Sequence, residues 1–391
     1  MGRSDDVTLP LGTPFLTDPA AAAVVRAVSA GGHEVFFVGG CVRNALMGTG
    51  ATDVDLATDA EPAQVIALAE AAGLRTVPTG LAHGTVTVLA EGQPFEVTTF
   101  RRDVETDGRR AVVAFAASME EDARRRDFTI NALYAGPDGH VRDPVGGLPD
   151  IAARRVRFIG DAAARIAEDR LRMLRFFRFS AHYADPSHSM DPDALSAIAQ
   201  AAGDATALSA ERIGAEMLKF LGAPDPAPAL AAMAQTGLGA VILPGSDAVP
   251  MARLVHVEGL LGLSPDPLRR LAALAPEIGG LRLSKAQQKR HSLLRELVGR
   301  PDDTAALAYR FGAAAAWDTL ALRAALLEAH LPSDAAARIA AGAGARFPLK
   351  ASDLPLEGKA LGDALKTAEA RWIASGFTLD RASLIEQALN G

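Results

Sequence analysis

The chain has 391 residues, enough for two or three domains of roughly 150 residues each. Its net charge of −7 argues against a protein that coats nucleic acid nonspecifically, and no apolar run approaches the roughly 20 residues that a membrane span needs. The one cysteine, Cys41, excludes an internal disulfide and predicts a reducing, cytoplasmic location, and the first residues lack the pattern of a signal peptide.

Strands and helices alternate in the predicted first third of the chain. The apolar and β-branched runs predict strands at 34–39, 53–57, 85–89, 95–100 and 128–134, and the remaining periodic segments predict helices at 41–47, 61–72 and 119–126. The polar segment 103–110 predicts a mobile loop, and the Pro- and Gly-rich segment 143–150 predicts a hinge. From 160 onward the pattern is helical. The sequence therefore predicts an α+β head followed by an all-helical remainder.

Two acids, Asp53 and Asp55, are two residues apart on a predicted strand. Strand geometry then places both carboxylates on one face, where they repel unless a cation lies between them. Mg²⁺ suits such a pair because it takes few protein carboxylates and completes its shell with water and phosphate. A solvated surface pair is the alternative. Glu96 completes the site if its strand neighbours that of Asp55, and its alternative is an ion pair with a following arginine.

A glycine pair precedes the predicted helix 41–47. Gly39 and Gly40 follow a predicted strand, so backbone N–H groups at the start of the helix can face a phosphate, with Arg43 one turn further on. The spacing does not match the G-x-G-x-x-G pattern of dinucleotide-binding folds. The glycines therefore predict a phosphate site without a Rossmann fold.

Positive charge is concentrated between residues 101 and 180. This segment has sixteen Arg against thirteen Asp plus Glu, a surplus of +3, so the rest of the chain sums to −10. No Lys occurs before Lys219, and Arg is the better residue for bidentate contacts with phosphates and bases. A codon bias that favours Arg and Ala is the alternative explanation, so this surplus has modest weight.

Residues 165–178 predict one amphipathic helix on which Asp169 and Arg172 share a face. Asp offers only acceptors and Arg only donors. Cytosine and adenine each present an amino donor beside a ring acceptor, whereas guanine and uracil present the opposite polarity. The pair therefore predicts selection of C and A, and a solvated lattice of i,i+4 ion pairs is the alternative.

Together these segments resemble the class II CCA-adding enzymes and the related bacterial poly(A) polymerases. The resemblance covers roughly residues 34–220 and rests on motifs in family order, namely GGCVRNALMG at 39–48, DVDLAT at 53–58, HGT at 83–85, EVTTFR at 96–101, RRDFTINAL at 125–133 and EDRLR at 168–172. One departure is Asn44, where the family usually has Asp. The family implies a polymerase-β-like nucleotidyltransferase head with a mixed sheet at 1–158, a helical neck at 159–224 and a helical body and tail at 225–391.

The resemblance also implies roles for individual residues. It implies Mg²⁺ ligands at Asp53 and Asp55 and a third acid at Glu96. It implies triphosphate contacts from Gly39, Gly40 and Arg43, a ribose contact from Asp127, and nucleotide contacts from Arg126 and Asn131. It implies base recognition by Asp169 and Arg172, with further contacts from Arg175 and Arg178.

The implied activity is addition of CCA to the 3′ end of tRNA from CTP and ATP, without a membrane partner. Polyadenylation, or addition of only CC or only A, is the first alternative, although the long segment after EVTTFR favours full CCA addition. A noncatalytic RNA-binding protein is the second, and it predicts loss of the acids, all of which are present. A fused phosphohydrolase is excluded because no His is followed directly by Asp.

Overall fold

The computed structural model describes residues 7–10, 12–50, 53–103, 113–116 and 118–389. The chain divides into two compact units between Ala205 and Thr206. This division falls inside the predicted neck at 159–224, so the predicted three-part organisation stays a prediction. In the described part of the chain, no helix is long and apolar enough to cross a bilayer.

The first unit is built on a mixed β-sheet, as predicted. Within the described residues the sheet has seven strands in the order β3-β4-β5-β2-β1-β8-β9, and β6 pairs with β7 in a separate hairpin. The strands are β1 (Val35–Val38), β2 (Asp55–Thr58), β3 (Arg75–Gly80), β4 (Thr85–Ala90), β5 (Gln93–Thr99), β6 (Arg101–Asp103), β7 (Val113–Phe115), β8 (Tyr134–Ala135) and β9 (Val141–Arg142).

The described part of the first unit also contains α-helices, some of which pack against this sheet. They are α1 (Pro14–Thr17), α2 (Pro19–Ser29), α3 (Gly40–Met47), α4 (Pro62–Ala71), α5 (Met119–Arg124), α6 (Leu148–Ala152), α7 (Ala162–Glu168), α8 (Leu171–Tyr183) and α9 (Pro192–Ala201). All four residues of β1 are buried, as expected for an apolar strand near the middle of a sheet. Most of the predicted mobile loop, 104–110, lies outside the described residues.

The predicted strand at 128–134 is wrong. Residues Thr129–Asn131 form a 3₁₀ turn, and only Tyr134 and Ala135 are in a strand. The Asn131 Nδ2 donates to Asp127 Oδ1 at 2.9 Å. Such a bond between side chains four residues apart favours a turn over an extended chain.

The single predicted helix at 165–178 is also wrong, because the chain breaks between α7 and α8. Asp169 is extended, with φ −147° and ψ 105°, and its Oδ1 accepts the Leu171 N–H at 3.1 Å. Asp favours such a capping position over a helix interior. Asp169 and Arg172 therefore do not share the face of one helix.

The second unit is helical throughout its described residues, as predicted. Its α-helices are α10 (Ala210–Leu221), α11 (Ala227–Gln235), α12 (Leu238–Ile242), α13 (Val249–Leu261), α14 (Pro267–Leu274), α15 (Lys285–Gly299), α16 (Thr304–Phe311), α17 (Ala313–Leu327), α18 (Ala335–Gly344), α19 (Gly358–Ala374) and α20 (Arg381–Leu389). One core joins α13, α14, α15 and α17 through leucines and small residues. Alanine allows these helices to pack closely.

A group of buried charges lies within this helical core. Glu258 accepts hydrogen bonds from both Arg269 and Arg270, at 2.7–3.0 Å, and all three residues are at most 3% exposed. Arg269 also donates to Asp318 at 2.8 Å. Burial of these charges is tolerated because each is paired and hydrogen-bonded.

Candidate active site

A cleft of about 520 Å³ opens within the first unit. Every sequence motif with a predicted catalytic or nucleotide-binding role contributes residues to this cleft. The predicted site residues that line it are Gly39, Gly40, Arg43, Asp55, Glu96, Arg126, Asp127, Asn131, Asp169, Arg172 and Arg175.

Two acids of this cleft lie side by side in the sheet. Strands β2 and β5 are parallel, and Asp55 is the register partner of Glu96. Neighbouring strands are about 4.8 Å apart, so the two side chains emerge together on one face. Burial of Asp55, followed by the charge of Glu96, raises the pKa of Asp55 to about 6. The condition set for Glu96 in the sequence analysis is therefore met.

Asp53 occupies a different position from the predicted one. Strand β2 begins at Asp55, so Asp53 lies on the approach to the strand, where it is exposed. After burial and the charge of Glu96, the charge of Asp53 also contributes to the raised pKa of Asp55.

These acids fit a hard divalent cation. The donors are all carboxylates, and their mutual repulsion is relieved by a cation. Among the described residues no group of three or more His, Cys, Asp or Glu is arranged to hold a metal alone. A metal with few protein ligands, whose shell is completed by water and phosphate, matches this donor set.

The glycine turn lines the cleft beside the acids, because it follows β1, in which Val38 is the register partner of Asp55. Gly39 has φ 74° and ψ −120°, a conformation that is open essentially only to glycine, and it precedes the first turn of α3. The free backbone N–H groups of that turn are suited to an anion. Behind it, Cys41 is 4% exposed and its Sγ donates to the Val38 carbonyl, so this side chain packs in the core. Burial raises the pKa of the Cys41 thiol to about 11.

Arg126 is fixed in the cleft by an acid that the sequence analysis missed. Asp122 is 1% exposed, accepts from Arg125 at 2.8 Å and from Arg126 at 3.0 Å, and also binds the Tyr134 hydroxyl. Burial opposes ionisation of Asp122, but the two guanidinium groups outweigh it and hold its pKa at about 2. The available signal in the sequence was the spacing, because Asp122 precedes Arg125 by three residues and Arg126 by four, which favours ion pairs on a helix.

Asp127 links the RRDFTINAL segment to α8. Its Oδ2 accepts from Arg175 Nε at 2.7 Å, and its Oδ1 accepts from Asn131. Burial raises the pKa of Asp127, but Arg175 and Asn131 outweigh this effect, so the pKa lies below its usual range. The carboxylate is thus ionised at neutral pH and oriented at the edge of the cleft.

Arg172 is also held in one orientation. It donates to Glu168 at 2.5 Å and to the carbonyl oxygens of Arg165 at 3.1 Å and Arg125 at 2.9 Å. The i,i+4 ion pair that was the alternative interpretation is therefore present, while Arg172 lines the cleft as well.

Phe179 also lines the cleft, with the Arg178 guanidinium 4.6 Å from its ring centre. Phe179 was not predicted from the sequence. Its spacing seven residues after Arg172 on the same helix was the available signal.

Comparisons with known proteins agree with this geometry. Residues 35–157 match the family described as "Poly A polymerase head domain", and residues 189–249 match "Probable RNA and SrmB- binding site of polymerase A". The human protein named CCA tRNA nucleotidyltransferase 1, mitochondrial, is 43% identical over 190 residues, which are 48% of this chain and 44% of the relative. The CCA-adding enzyme of Geobacillus thermodenitrificans is 41% identical over 227 residues, or 58% and 54% of the two chains. The matched segments thus span about half the length of these curated relatives.

Solved structures extend the likeness to almost the whole chain. The Bacillus stearothermophilus CCA-adding enzyme, solved in complex with CTP, has 30% identity and a TM-score of 0.72, and the match covers 96% of this chain and 98% of that one. The Thermotoga maritima CCA-adding enzyme complexed with tRNA shares the fold at 17% identity, with a TM-score of 0.71 and 99% of each chain covered.

The fold and the acidic cleft define the class as a poly(A) polymerase head followed by a helical unit. Within that class, the chain belongs to the family of CCA-adding enzymes. A nucleotidyltransferase head of this kind implies a divalent metal ion, which the carboxylates of the cleft fit.

Proposed function

We propose that the protein adds C, C and A in turn to the 3′ end of tRNA, using CTP and ATP and releasing pyrophosphate. The observation that carries this proposal is the register pair of Asp55 and Glu96, which lines one cleft together with the glycine turn and the arginines of α8. The names of the relatives and the CTP-bound structure at 30% identity support it.

The proposed metal is Mg²⁺, held by Asp55 and Asp53 with Glu96 as the third acid. When bound, it would activate the 3′-hydroxyl of the tRNA and neutralise the charge of the triphosphate. The cation would relieve the mutual repulsion of Asp55 and Glu96, which contributes to the raised pKa of Asp55.

In this proposal the other residues bind and orient the nucleotide. The N–H groups at the start of α3 and the charge of Arg43 hold the triphosphate, with Arg126 beside them. Asp127 accepts a hydrogen bond from the ribose, next to Asn131. Arg175 and Arg178 add positive charge along α8. Most of the rate enhancement then comes from positioning and charge neutralisation.

Base selection is assigned to Asp169 and Arg172. The break between α7 and α8 does not remove this role, because both residues line the same cleft. The three contacts of Arg172 fix the plane of its guanidinium, so that its remaining donors keep one direction. An acceptor beside a fixed donor matches C and A and leaves G and U with unpaired groups, which cost about 1–3 kcal/mol each when buried.

One experiment tests the activity directly. Purified protein is incubated with Mg²⁺ and a tRNA transcript that lacks its terminal CCA, with CTP alone, ATP alone or both, and the products are sequenced. We expect two C residues with CTP alone, CCA with both nucleotides, and no A tail with ATP alone. A long A tail would instead indicate a poly(A) polymerase, and no incorporation under any condition would refute the proposal.

The cytoplasmic location inferred from the single cysteine stays a prediction. The human and mouse relatives are named as mitochondrial proteins.

A further inference from the structure

Arg43 is unusually enclosed for a cation of the nucleotide cleft. It is 4% exposed. Its Nε and Nη2 donate to Asn44 Oδ1 at 3.1 and 2.9 Å, and its Nη1 donates to Asn131 Oδ1 at 2.5 Å. These partners are neutral amides, and the nearest acid of the network, Asp127, is reached through Asn131.

The remaining wall of this enclosure is Tyr183, which is 140 residues away in the sequence. Arg43 Nη2 donates to the Tyr183 hydroxyl at 2.8 Å, and Arg43 Cζ lies 4.0 Å from the centre of the tyrosine ring. A guanidinium over an aromatic face gains cation–π attraction, which is stronger where water is excluded. Tyr183 therefore gives Arg43 both a hydrogen-bond acceptor and a negative ring face.

Tyr183 also belongs to the stripe of α8 that faces the cleft. Arg172, Arg175 and Phe179 line the cleft, and Tyr183 follows them at helical spacing as the last residue of α8. The contact with Arg43 thus connects this stripe to α3, which begins at the glycine turn. Tyr183 therefore connects α8, which carries the proposed base-reading residue Arg172, to α3, which begins at the proposed phosphate-binding turn.

We propose that Tyr183 is a positioning residue that holds the Arg43 guanidinium toward the bound nucleoside triphosphate. The inference rests on the proposed function and extends it to a residue outside the motifs of the family. Asn44 occupies a position where the family usually has Asp, and among the described residues the hydrogen-bond partners of Arg43 are the neutral side chains of Asn44, Asn131 and Tyr183. In this chain the ring and hydroxyl of Tyr183 contribute to the orientation of Arg43 together with the neutral amides of Asn44 and Asn131.

The geometry leaves little freedom for another arrangement. The four hydrogen bonds of Arg43 use four of the five N–H groups of its guanidinium, and within the described residues one on Nη1 is left for a phosphate oxygen. Because a single N–H must reach the ligand, a small rotation of the guanidinium removes the contact. Loss of Tyr183 should therefore weaken nucleotide binding without altering the acids.

The test compares Tyr183→Phe and Tyr183→Leu, each alone and combined with Asn44→Asp. KM and kcat for CTP are measured with saturating tRNA, and the Kd for CTP with Mg²⁺ is measured without tRNA. Tyr309→Phe is the matched control, because it removes a tyrosine hydroxyl that donates to Glu369 at 2.7 Å in the second unit. Thermal unfolding of each variant reports on the fold.

We expect Tyr183→Leu to raise both KM and Kd for CTP about tenfold with kcat nearly unchanged, which is the pattern of lost uniform binding. Tyr183→Phe should raise KM only about threefold because it keeps the ring. Asn44→Asp should restore nearly normal KM to Tyr183→Leu by supplying a carboxylate beside Arg43. Tyr309→Phe should leave KM unchanged.

The proposal is overturned if Tyr183→Leu leaves KM and Kd unchanged, if kcat falls in step with thermal stability, or if Asn44→Asp fails to rescue. Failure of the proposed function gives a different result. In that case the unsubstituted protein adds nothing to tRNA, while the Kd for CTP still reports on the position of Arg43.

Discussion

At the scale of single residues, Asp55 is a carboxyl group of the cleft whose ionisation is unfavourable in the absence of a metal. Its pKa is raised from 3.8 to about 6 by burial and by Glu96. A folded-state pKa above the unfolded value means that the folded protein is penalised once the group ionises. The penalty is complete above pH 6, shrinks as the pH falls toward 4, and is absent below that.

We therefore expect Asp55→Asn to abolish nucleotide addition and yet to stabilise the metal-free protein at pH 8, by about 1–2 kcal/mol after allowance for solvent screening. Unfolding is measured at pH 8 and at pH 4.5 in a chelator, and the gain should shrink at the lower pH. Addition of Mg²⁺ should raise the melting temperature of the unsubstituted protein but not of the variant. A destabilised variant at pH 8 would contradict the assignment.

Arg172 is the residue whose replacement should change which base is accepted. Arg172→Ala removes the fixed donor. The ratio of kcat/KM for CTP and ATP to kcat/KM for UTP and GTP should therefore fall by about tenfold or more. Competition assays with all four nucleotides measure this ratio. Arg170→Ala is the control, since Arg170 is on the same segment and pairs with Asp204 on the surface. Unchanged selectivity in Arg172→Ala would refute the role.

At the scale of elements, the turn before α3 depends on the conformation of one glycine. Gly39→Ala should destabilise the protein by about 1–3 kcal/mol, because its backbone angles are open essentially only to glycine. It should also raise KM for both nucleotides, since the N–H groups of the first turn would move. Thermal unfolding and steady-state kinetics measure the two effects.

The other end of α3 offers a matched control. Gly48 also has a positive φ, of 66°, and within the described parts of the chain no atom beyond its own neighbours lies within 4 Å of where its Cβ would be. Gly48→Ala should therefore lower stability through backbone strain but leave KM unchanged. A rise in KM in both variants would show that the effect comes from strain in α3 and not from the phosphate site.

Some features of these elements could be predicted from the sequence, and others could not. The apolar run at β1 was predictable because burial on both faces requires it, and the pairing of Asp55 with Glu96 followed once β2 and β5 were neighbours. The helix break at Asp169 was not predicted, because an Asp that caps a helix and an Asp on a helix surface look alike in sequence. Tyr183 was missed because its partner is distant along the chain.

At the scale of the whole molecule, the helical second unit depends on buried charges that must remain paired. Replacing Glu258 leaves Arg269 and Arg270 in the core without their shared carboxylate. We expect Glu258→Gln to cost about 3–5 kcal/mol of stability. Denaturant unfolding monitored by circular dichroism measures the loss. Glu328→Gln is the control, since its ion pair with Arg253 is exposed and should contribute about 0.5 kcal/mol or less.

The buried thiol of Cys41 can be used to detect local opening of the head. Its high pKa and enclosure against Val38 mean that a thiol-specific reagent can modify it only when α3 separates from the sheet. Because the chain has no other cysteine, labelling followed by mass measurement would time that separation at a single known atom. Slower labelling with nucleotide present would then show, without any engineered tag, that bound nucleotide makes the separation of α3 from the sheet less frequent.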